Sequence, residues 1–406
     1  MAIKRTFNTS SIETRDVGNL IEQMMTSAND SRNRFERKWY DNNSFDDGYH
    51  FRYLSRAQNK IVDVSNSLDA GGPIRAIPKA SRQIRGVMNL LTANDFVPII
   101  YPENVNKAAF FDPQELMAAL QESKRVAKMS GHWVDEEFKA QNIAEKLSHM
   151  ILLTAKHSVS YIQVWPDAVE EKIRTKVYDA FDIYLMGDMD NLEDQPFIGK
   201  CVPKLINEIK ANELFDEEQR EKISPDNRYA SSEIKEAYML ARHGRSGGSD
   251  RNATLIQREF FIKEYLDKDN SAKIRKQENA GNILKSRKEG DPVIRHVWAA
   301  GNIWLKDTYE DLPTYPFAEY RMEPGSMYQT SLIERFIPAN KSLDIISSRI
   351  ERYTNSFPLG VMLKRQGEQF NISNIAGGQQ VEYKTFPPKF EQQAPLPPHI
   401  FEYLNR

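Results

Sequence analysis

The sequence is poor in cysteine, with Cys201 as the single example in 406 residues. One thiol cannot form an intramolecular disulfide, and it cannot supply an all-cysteine or mixed structural zinc site. Small secreted proteins that depend on disulfides are therefore excluded. This use of cysteine fits assembly in a reducing, intracellular environment.

Long apolar runs are missing as well. No window approaches the roughly 18 apolar residues that a membrane-spanning helix needs. The first residues, Met1–Ser11, are polar and contain no apolar signal-peptide core. We therefore expect a soluble chain with no targeting segment and no membrane partner.

Neither sign of charge predominates, because 55 Lys and Arg residues stand against 57 Asp and Glu residues, for a formal net charge of −2. The two signs are interleaved, so no basic field exists that would hold nucleic acid tightly. If DNA is a partner, we expect a loose contact. The length and a hydrophobic content of 40% allow a sizeable core in two or more structural units.

Motifs that carry catalysis are also lacking. The seven histidines form no H-E-x-x-H pair, no serine lies in a G-x-S-x-G turn, and Cys201 has no local signature of a nucleophile. The loop Arg242–Asn252 contains glycine and basic residues without the spacing of a phosphate-binding loop. We expect no catalytic residue, cofactor or metal ion.

One acidic cluster could suit a hard cation, but it lacks the spacing of a calcium loop, and a solvated turn is the simpler interpretation. Its members are Asp188, Asp190, Glu193 and Asp194.

Hydrophobic periodicity predicts helices in the first part of the chain and strands after Ser158. The predicted helices are Arg15–Trp39, Lys79–Ala93, a long region from Asp112 to Ile151 broken near Ser130-Gly131, Ile206–Leu214 and Ser231–Arg242. The predicted strands are an edge strand at Phe96–Tyr101 and a small β unit formed by Val159–Trp165, Lys176–Tyr184 and Glu259–Tyr265.

The last part of the sequence has its own order of elements. It predicts a strand at Thr314–Met322, a long helix at Met327–Tyr353 interrupted by Pro338, and short strands within Pro358–Phe386 around a Gly377-Gly378 turn. A proline-rich lead then precedes Ile400–Arg406, where a helix begins and is not completed.

Short motifs accompany this order: Tyr315-Pro316-Phe317, Arg321-Met322, Gly325, Tyr328 and Ser331-Leu332-Ile333-Glu334. With them, the sequence resembles the portal (head-to-tail connector) proteins of tailed bacteriophages. The segments Trp39–Phe51, Asn89–Asn104 and Tyr178–Asp188 also look like parts of a portal wing, so the resemblance spans nearly the whole chain. Gln329 and Ser158 depart from the family, which often has glycine at these two positions.

The resemblance implies an α+β fold with a portal-like wing of long helices and a small β unit. The implied domains are a wing at 1–325, a first stem helix at 326–354, a β-rich clip at 355–395 and the start of a second stem helix at 396–406. Portal proteins continue through the rest of that helix, a tunnel loop and a crown, so we expect this chain to be truncated.

The resemblance also implies a structural subunit that is not an enzyme. Such subunits form a homo-oligomeric ring, commonly of twelve copies, at the capsid vertex of the virion, and the ring is assembled in the host cytoplasm. Double-stranded viral DNA is packaged and ejected through its channel. The implied protein partners are the major capsid protein, the large subunit of the terminase motor and the head-to-tail adaptor.

Three sets of residues acquire roles from this resemblance. One side of the stem helix would face the DNA channel: Lys341, Asp344, Ser348, Arg352 and Asn355. The other side would pack against neighbouring subunits: Leu343, Ile346, Ile350 and Tyr353. Cations of the clip would dock the motor or adaptor: Lys364, Arg365, Lys384 and Lys389.

Simpler interpretations stay open for each set. An ordinary amphipathic helix with a solvated face has the same period as the stem helix, and a charged hairpin edge that prevents aggregation explains the clip cations. Two other functions also stay open. One is a capsid or neck adaptor that is not a portal, and the other is a metal-dependent nucleic-acid enzyme that uses the acidic cluster.

Overall fold

The computed structural model describes residues 17–55, 61–64, 74–93, 99–102, 112–167, 172–186, 189–224, 254–268, 271, 274, 288–301, 303–310, 312, 314–356, 361–365 and 379–383. The principal helices are α1 (Val17–Asp46), α2 (Lys79–Leu91), α3 (Pro113–Ala140), α4 (Ile143–His157), α5 (Ile206–Lys210), α6 (Glu217–Glu221) and α7 (Leu332–Ser356).

The strands form four sheets within the described residues. In chain order they are β1 (Arg52–Leu54), β2 (Ile61–Asp63), β3 (Val159–Asp167), β4 (Lys172–Asp179), β5 (Ile183–Tyr184), β6 (Phe197–Leu205), β7 (Thr254–Tyr265), β8 (Pro292–Ala300), β9 (Ile303–Glu310), β10 (Phe317–Arg321), β11 (Val361–Arg365) and β12 (Gln379–Tyr383). The largest sheet has the order β5-β6-β7-β8-β9, and a second sheet has the order β10-β3-β4.

Helices and mostly antiparallel sheets occur together, so the chain is α+β. It divides into two compact units. Unit 1 comprises Met1–Asn43, Leu54–Ile61 and Ser81–Arg335, and unit 2 comprises Ser44–Tyr53, Val62–Ala80 and Phe336–Arg406. The boundaries of these two units differ from those predicted for the wing, stem and clip. The wing, stem and clip boundaries therefore stay predictions.

In unit 1, α1 covers one face of the five-stranded sheet. Leu20, Met24 and Ala28 recur at helical spacing and pack against a buried cluster that includes Phe197 and Phe260 of the central strands. The helix is also fixed by Arg32, because its guanidinium donates to the carbonyl oxygens of Phe181 and Ile183 at 2.8 and 2.9 Å.

The three-stranded sheet of unit 1 adjoins α4. The long helical region was predicted to break near Ser130-Gly131, and that prediction is wrong, because α3 continues to Ala140 and the break lies at Gln141–Asn142. Asn142 has a φ of 50°, a left-handed conformation that asparagine tolerates better than most residues. Gln141 stabilises the break, since its side-chain amide donates to the carbonyl oxygen of Ile173 in β4.

The elements near the C-terminal side also differ from two expectations. α7 is one helix that contains Pro338 rather than two interrupted segments. Proline removes a single hydrogen bond there, close to the beginning of the helix, and the turns on both sides continue. The strands β11 and β12 pair in parallel. A tight turn joins antiparallel strands, so the prediction that these strands form a hairpin around Gly377-Gly378 is wrong.

The β part of unit 1 is larger than the sequence predicted. Phe197–Leu205, Pro292–Ala300 and Ile303–Glu310 are strands that periodicity alone did not separate from loops. Several other predictions lie outside the described residues in whole or in part: the edge strand Phe96–Tyr101, the helix Ser231–Arg242, the loop Arg242–Asn252, and the proline-rich lead with Ile400–Arg406.

Candidate functional site

A cleft of about 480 Å³ lies on the face of the five-stranded sheet opposite α1. Successive side chains of a strand point to opposite faces, so Phe260 packs toward α1 while Glu259 and Phe261 point to the cleft. The three-stranded sheet contributes a second wall through Gln163, Trp165 and Tyr178. All of these residues belong to unit 1.

A row of paired residues crosses the floor of the cleft. Lys200 in β6 is opposite Glu259 in β7, Glu259 is opposite Trp298 in β8, and Trp298 is opposite Lys306 in β9. Residues directly opposite on antiparallel strands have adjacent side chains on the same face. Strand register therefore brings together four residues that span more than a hundred positions of sequence.

The central contact of the row is a buried ion pair. Lys200 Nζ lies 2.5 Å from Glu259 Oε2 and also donates to Gln163 Oε1 at 3.0 Å. Burial would raise the pKa of Glu259, but Lys200 and the neighbouring His296 outweigh burial and lower it to about 2. Glu259 is thus a carboxylate at neutral pH.

His296 forms the second polar part of the floor. Its ring stacks on Phe261 with centroids 3.9 Å apart, and its Nδ1 lies 3.3 Å from Glu310 Oε1. This contact lowers the pKa of Glu310 and outweighs burial, which would raise it. His296 Nε2 and Gln257 Oε1 are buried and have no hydrogen-bond partner among the described residues.

Three further lysines surround the cleft: Lys176, Lys204 and Lys306. Among the described residues, no carboxylate forms a salt bridge with any of them. Burial lowers the pKa of Lys204, and the charge of nearby Glu259 offsets this shift only in part. With Lys200, four lysines stand against the two carboxylates of Glu259 and Glu310, so the cleft has an excess of two positive charges. It can hold a small anion.

None of these cleft residues was a sequence-predicted site residue. The local sequence carries no clear signal for them, because Lys200–Lys204 reads Lys-Cys-Val-Pro-Lys and Gln257–Phe261 reads Gln-Arg-Glu-Phe-Phe, and neither run alternates charged with apolar residues. The pairing partners in β8 and β9 would have been needed to predict that these residues share one face of the sheet.

The predicted DNA-channel side of α7 is instead partly an internal surface of unit 2. Side chains four residues apart lie on one face of the helix, and here they accept hydrogen bonds from the backbone of the segment that leads into α2. The pairs are Asn340 with Ala80 N at 2.9 Å, Asp344 with Ile77 N at 2.8 Å and Ser348 with Arg75 N at 2.9 Å.

The prediction that Asp344 and Ser348 face a channel is therefore wrong, because these residues are only 0% and 4% exposed within a single chain. A side chain already buried against backbone amides is not available to an open channel. Asp344 Oδ2 also lies 2.5 Å from His50 Nδ1, and the His50 ring stacks on Phe45 at 4.0 Å. Asn340 Nδ2 lies 3.2 Å from Asp344 Oδ2 and completes this buried network.

The other residues of α7 keep their predicted roles as predictions. Lys341 is half-buried, with Nζ 5.9 Å from the Phe51 ring centroid. The predicted ring-packing residues Leu343, Ile346 and Ile350 are also half-buried. The side chains of Arg352, Tyr353 and Asn355 lie outside the described residues, and so do those of the predicted clip cations Lys364, Arg365, Lys384 and Lys389.

The motif residues at Arg321–Glu334 have clear local roles in unit 1. Gly325 has a φ of 126°, which favours glycine, and Gln329 Nε2 donates to the carbonyl oxygens of Pro324 and Ser326 around this turn. Ser331 and Glu334 have the spacing of a capping box at the start of α7. Their reciprocal contacts are 3.4 Å from Glu334 N to Ser331 Oγ and 3.5 Å from Ser331 N to Glu334 Oε1.

Other candidate sites are not supported by the described residues. Burial raises the pKa of the Cys201 thiol to about 11, which keeps it protonated at neutral pH. No group of three metal-ligating side chains occurs in the described part, which includes Asp190, Glu193 and Asp194, whereas Asp188 lies outside it. Among the described helices, none is long and apolar enough to cross a membrane.

Comparison with known proteins adds no family assignment. No protein-family model matches the chain, and no curated protein sequence matches it. The resemblance to portal proteins therefore depends on the residues and the order of elements alone.

Proposed function

We propose that this protein is a portal subunit, a structural component of the ring through which viral DNA enters and leaves the capsid of a tailed bacteriophage. In this role it assembles with copies of itself in the virion, commonly as twelve subunits. Its partners are the major capsid protein, the terminase large subunit, the head-to-tail adaptor and the double-stranded DNA in the channel. The role requires no catalytic residue and no cofactor.

The observation that carries the proposal is the order of elements in the second half of the chain. An α+β body ends in the strand β10, a glycine turn and a capping box follow, and the 25-residue helix α7 leads into the strand pair β11 and β12. A body, one long helix and a small β insert occur in the same order as the wing, stem and clip that the portal resemblance implies. A generic adaptor has no reason to combine them in this order.

The surface of α3 supports assembly with further copies of the chain. This helix has 28 residues, about 42 Å at the usual rise, and only Ala127 among them is buried. Val126, Met129 and Trp133 are on one side of the helix and are 50%, 62% and 51% exposed. Exposed apolar stripes mark interaction surfaces in soluble proteins, and a ring supplies the same neighbour to every subunit.

Imaging of the purified 406-residue chain by negative-stain electron microscopy tests the proposal. We expect closed rings with a central hole wide enough for duplex DNA. The double variant Met129→Asp/Trp133→Asp should reduce the rings to smaller species, because each side chain contributes about 1 kcal/mol of apolar burial and each new carboxylate is costly to desolvate. The loss is repeated at every subunit contact of the ring.

His132→Asp is the matched control, since His132 is an exposed residue on the same helix and lies off the apolar stripe. It adds one negative charge without removing an apolar side chain of the stripe, and it should leave the rings intact. A uniformly monomeric unmodified chain would contradict the portal proposal. Rings that persist in the double variant would show that α3 is not the contact surface.

A further inference from the structure

We propose that the cleft on the five-stranded sheet of unit 1 binds a nucleotide, with its phosphates held by lysines and its base against the apolar and aromatic wall. This site is not part of the ring assembly proposed above. It stands on the residues of the cleft alone, and it can be tested in any assembly state of the chain.

The positive charge of the cleft suits the phosphates of a nucleotide. Lys204 and Lys306 point into it from β6 and β9, and Lys176 adds a third ammonium from the facing sheet. Lysine binds phosphate as a point charge without the fixed geometry that arginine imposes. The carboxylates of the cleft oppose an anion only weakly, because Glu259 is paired with Lys200 and Glu310 with His296.

Two of these ammonium groups are positioned by aromatic rings. Lys306 Nζ lies 5.5 Å from the Trp298 ring centroid, and Lys176 Nζ lies 5.3 Å from that of Tyr178. These cation–π contacts are weak at exposed sites. A phosphate can therefore draw these two lysines away from the rings at little cost.

The apolar lining and the size of the cleft suit the base of a nucleotide. Trp165, Phe215 and Leu312 line it beside the two rings already described. A volume of about 480 Å³ is within the range of small-molecule sites, which runs from about 300 to 1,000 Å³. Within the described part of the chain, Gln257 Oε1 and His296 Nε2 have no hydrogen-bond partner at the floor, and the donors and acceptors of a base edge would satisfy them after a small side-chain shift.

Titration calorimetry of the full chain separates the parts of this proposal. The probes are adenosine diphosphate, inorganic pyrophosphate, adenosine and a single-stranded decathymidylate. We expect adenosine diphosphate to bind at least tenfold more tightly than pyrophosphate or adenosine, because only it uses both ends of the cleft. Tighter binding of the oligonucleotide would identify the nucleotide source as a single strand rather than a free nucleotide.

The double variant Lys204→Gln/Lys306→Gln should weaken nucleotide binding at least tenfold and reduce its dependence on salt. Lys128→Gln is the control, since Lys128 is an exposed lysine of α3 far along the chain from the cleft strands. Thermal unfolding of both variants verifies that they are folded. The proposal is overturned if no probe binds at millimolar concentration, if pyrophosphate binds as well as adenosine diphosphate, or if the double variant binds like the unmodified chain.

Discussion

The variant Asp344→Ala is expected to lower the free energy of unfolding of unit 2 by about 3 to 5 kcal/mol, because it leaves buried polar partners unsatisfied. Asp344 is fully buried and accepts hydrogen bonds from Ile77 N, His50 Nδ1 and Asn340 Nδ2. Alanine removes the acceptor for all three. A residue that faced an open channel would instead change stability by less than about 0.5 kcal/mol.

Urea denaturation and hydrogen exchange at the Ile77 amide measure this effect. The amide should exchange much faster in Asp344→Ala, since its acceptor is gone. Glu351→Ala on the same helix is the matched control, because Glu351 is half-exposed and its ion pair with Arg75 is long, at 3.7 Å. If Asp344→Ala changes the free energy of unfolding as little as this control, the buried network does not exist in solution. The prediction that Asp344 faces the channel would then stand again.

The second large effect is expected for Glu259→Gln in unit 1. The substitution leaves the Lys200 ammonium buried without its counter-charge, and we expect a loss of about 3 kcal/mol at neutral pH. The pKa of Glu259 is depressed from 4.5 to about 2 in the folded chain. Its contribution is therefore fully present above pH 4.5 and is lost as the pH falls toward 2.

Unfolding curves measured between pH 7 and pH 2 test both parts. The unmodified chain should lose stability more steeply below pH 4.5 than Glu259→Gln does. A double variant, Lys200→Met/Glu259→Leu, should recover part of the loss, because an apolar pair avoids the cost of a buried unpaired charge. Parallel acid profiles for the unmodified chain and Glu259→Gln would show that Glu259 carries no depressed pKa.

Local signals predicted many element positions well. The start of α3 was predicted from Asp112-Pro113, and Asp112 Oδ1 accepts from Gln114 N at 2.8 Å as a helix cap. The strand β3 follows from alternation after Ser158. These features depend on residues within a few positions of one another, so a single sequence carries enough information to find them.

Long-range partners explain what the sequence could not predict. The polar side of α7 was found from its period, but a period cannot distinguish solvent from a backbone segment about 270 positions earlier that binds Asp344 and Ser348. The cleft is a similar case, because Lys200 and Trp298 meet only through the register of three strands. Sheet register at such separations is set by the whole core rather than by local sequence.

The buried thiol of Cys201 makes the chain a convenient scaffold for spectroscopic probes. Maleimide and spin-label reagents attack the thiolate, and a pKa near 11 together with burial protects this thiol from them at neutral pH. A single exposed cysteine, such as His132→Cys on α3, could then be labelled without background. Distances between labels on neighbouring subunits would report the symmetry and diameter of any assembly directly in solution.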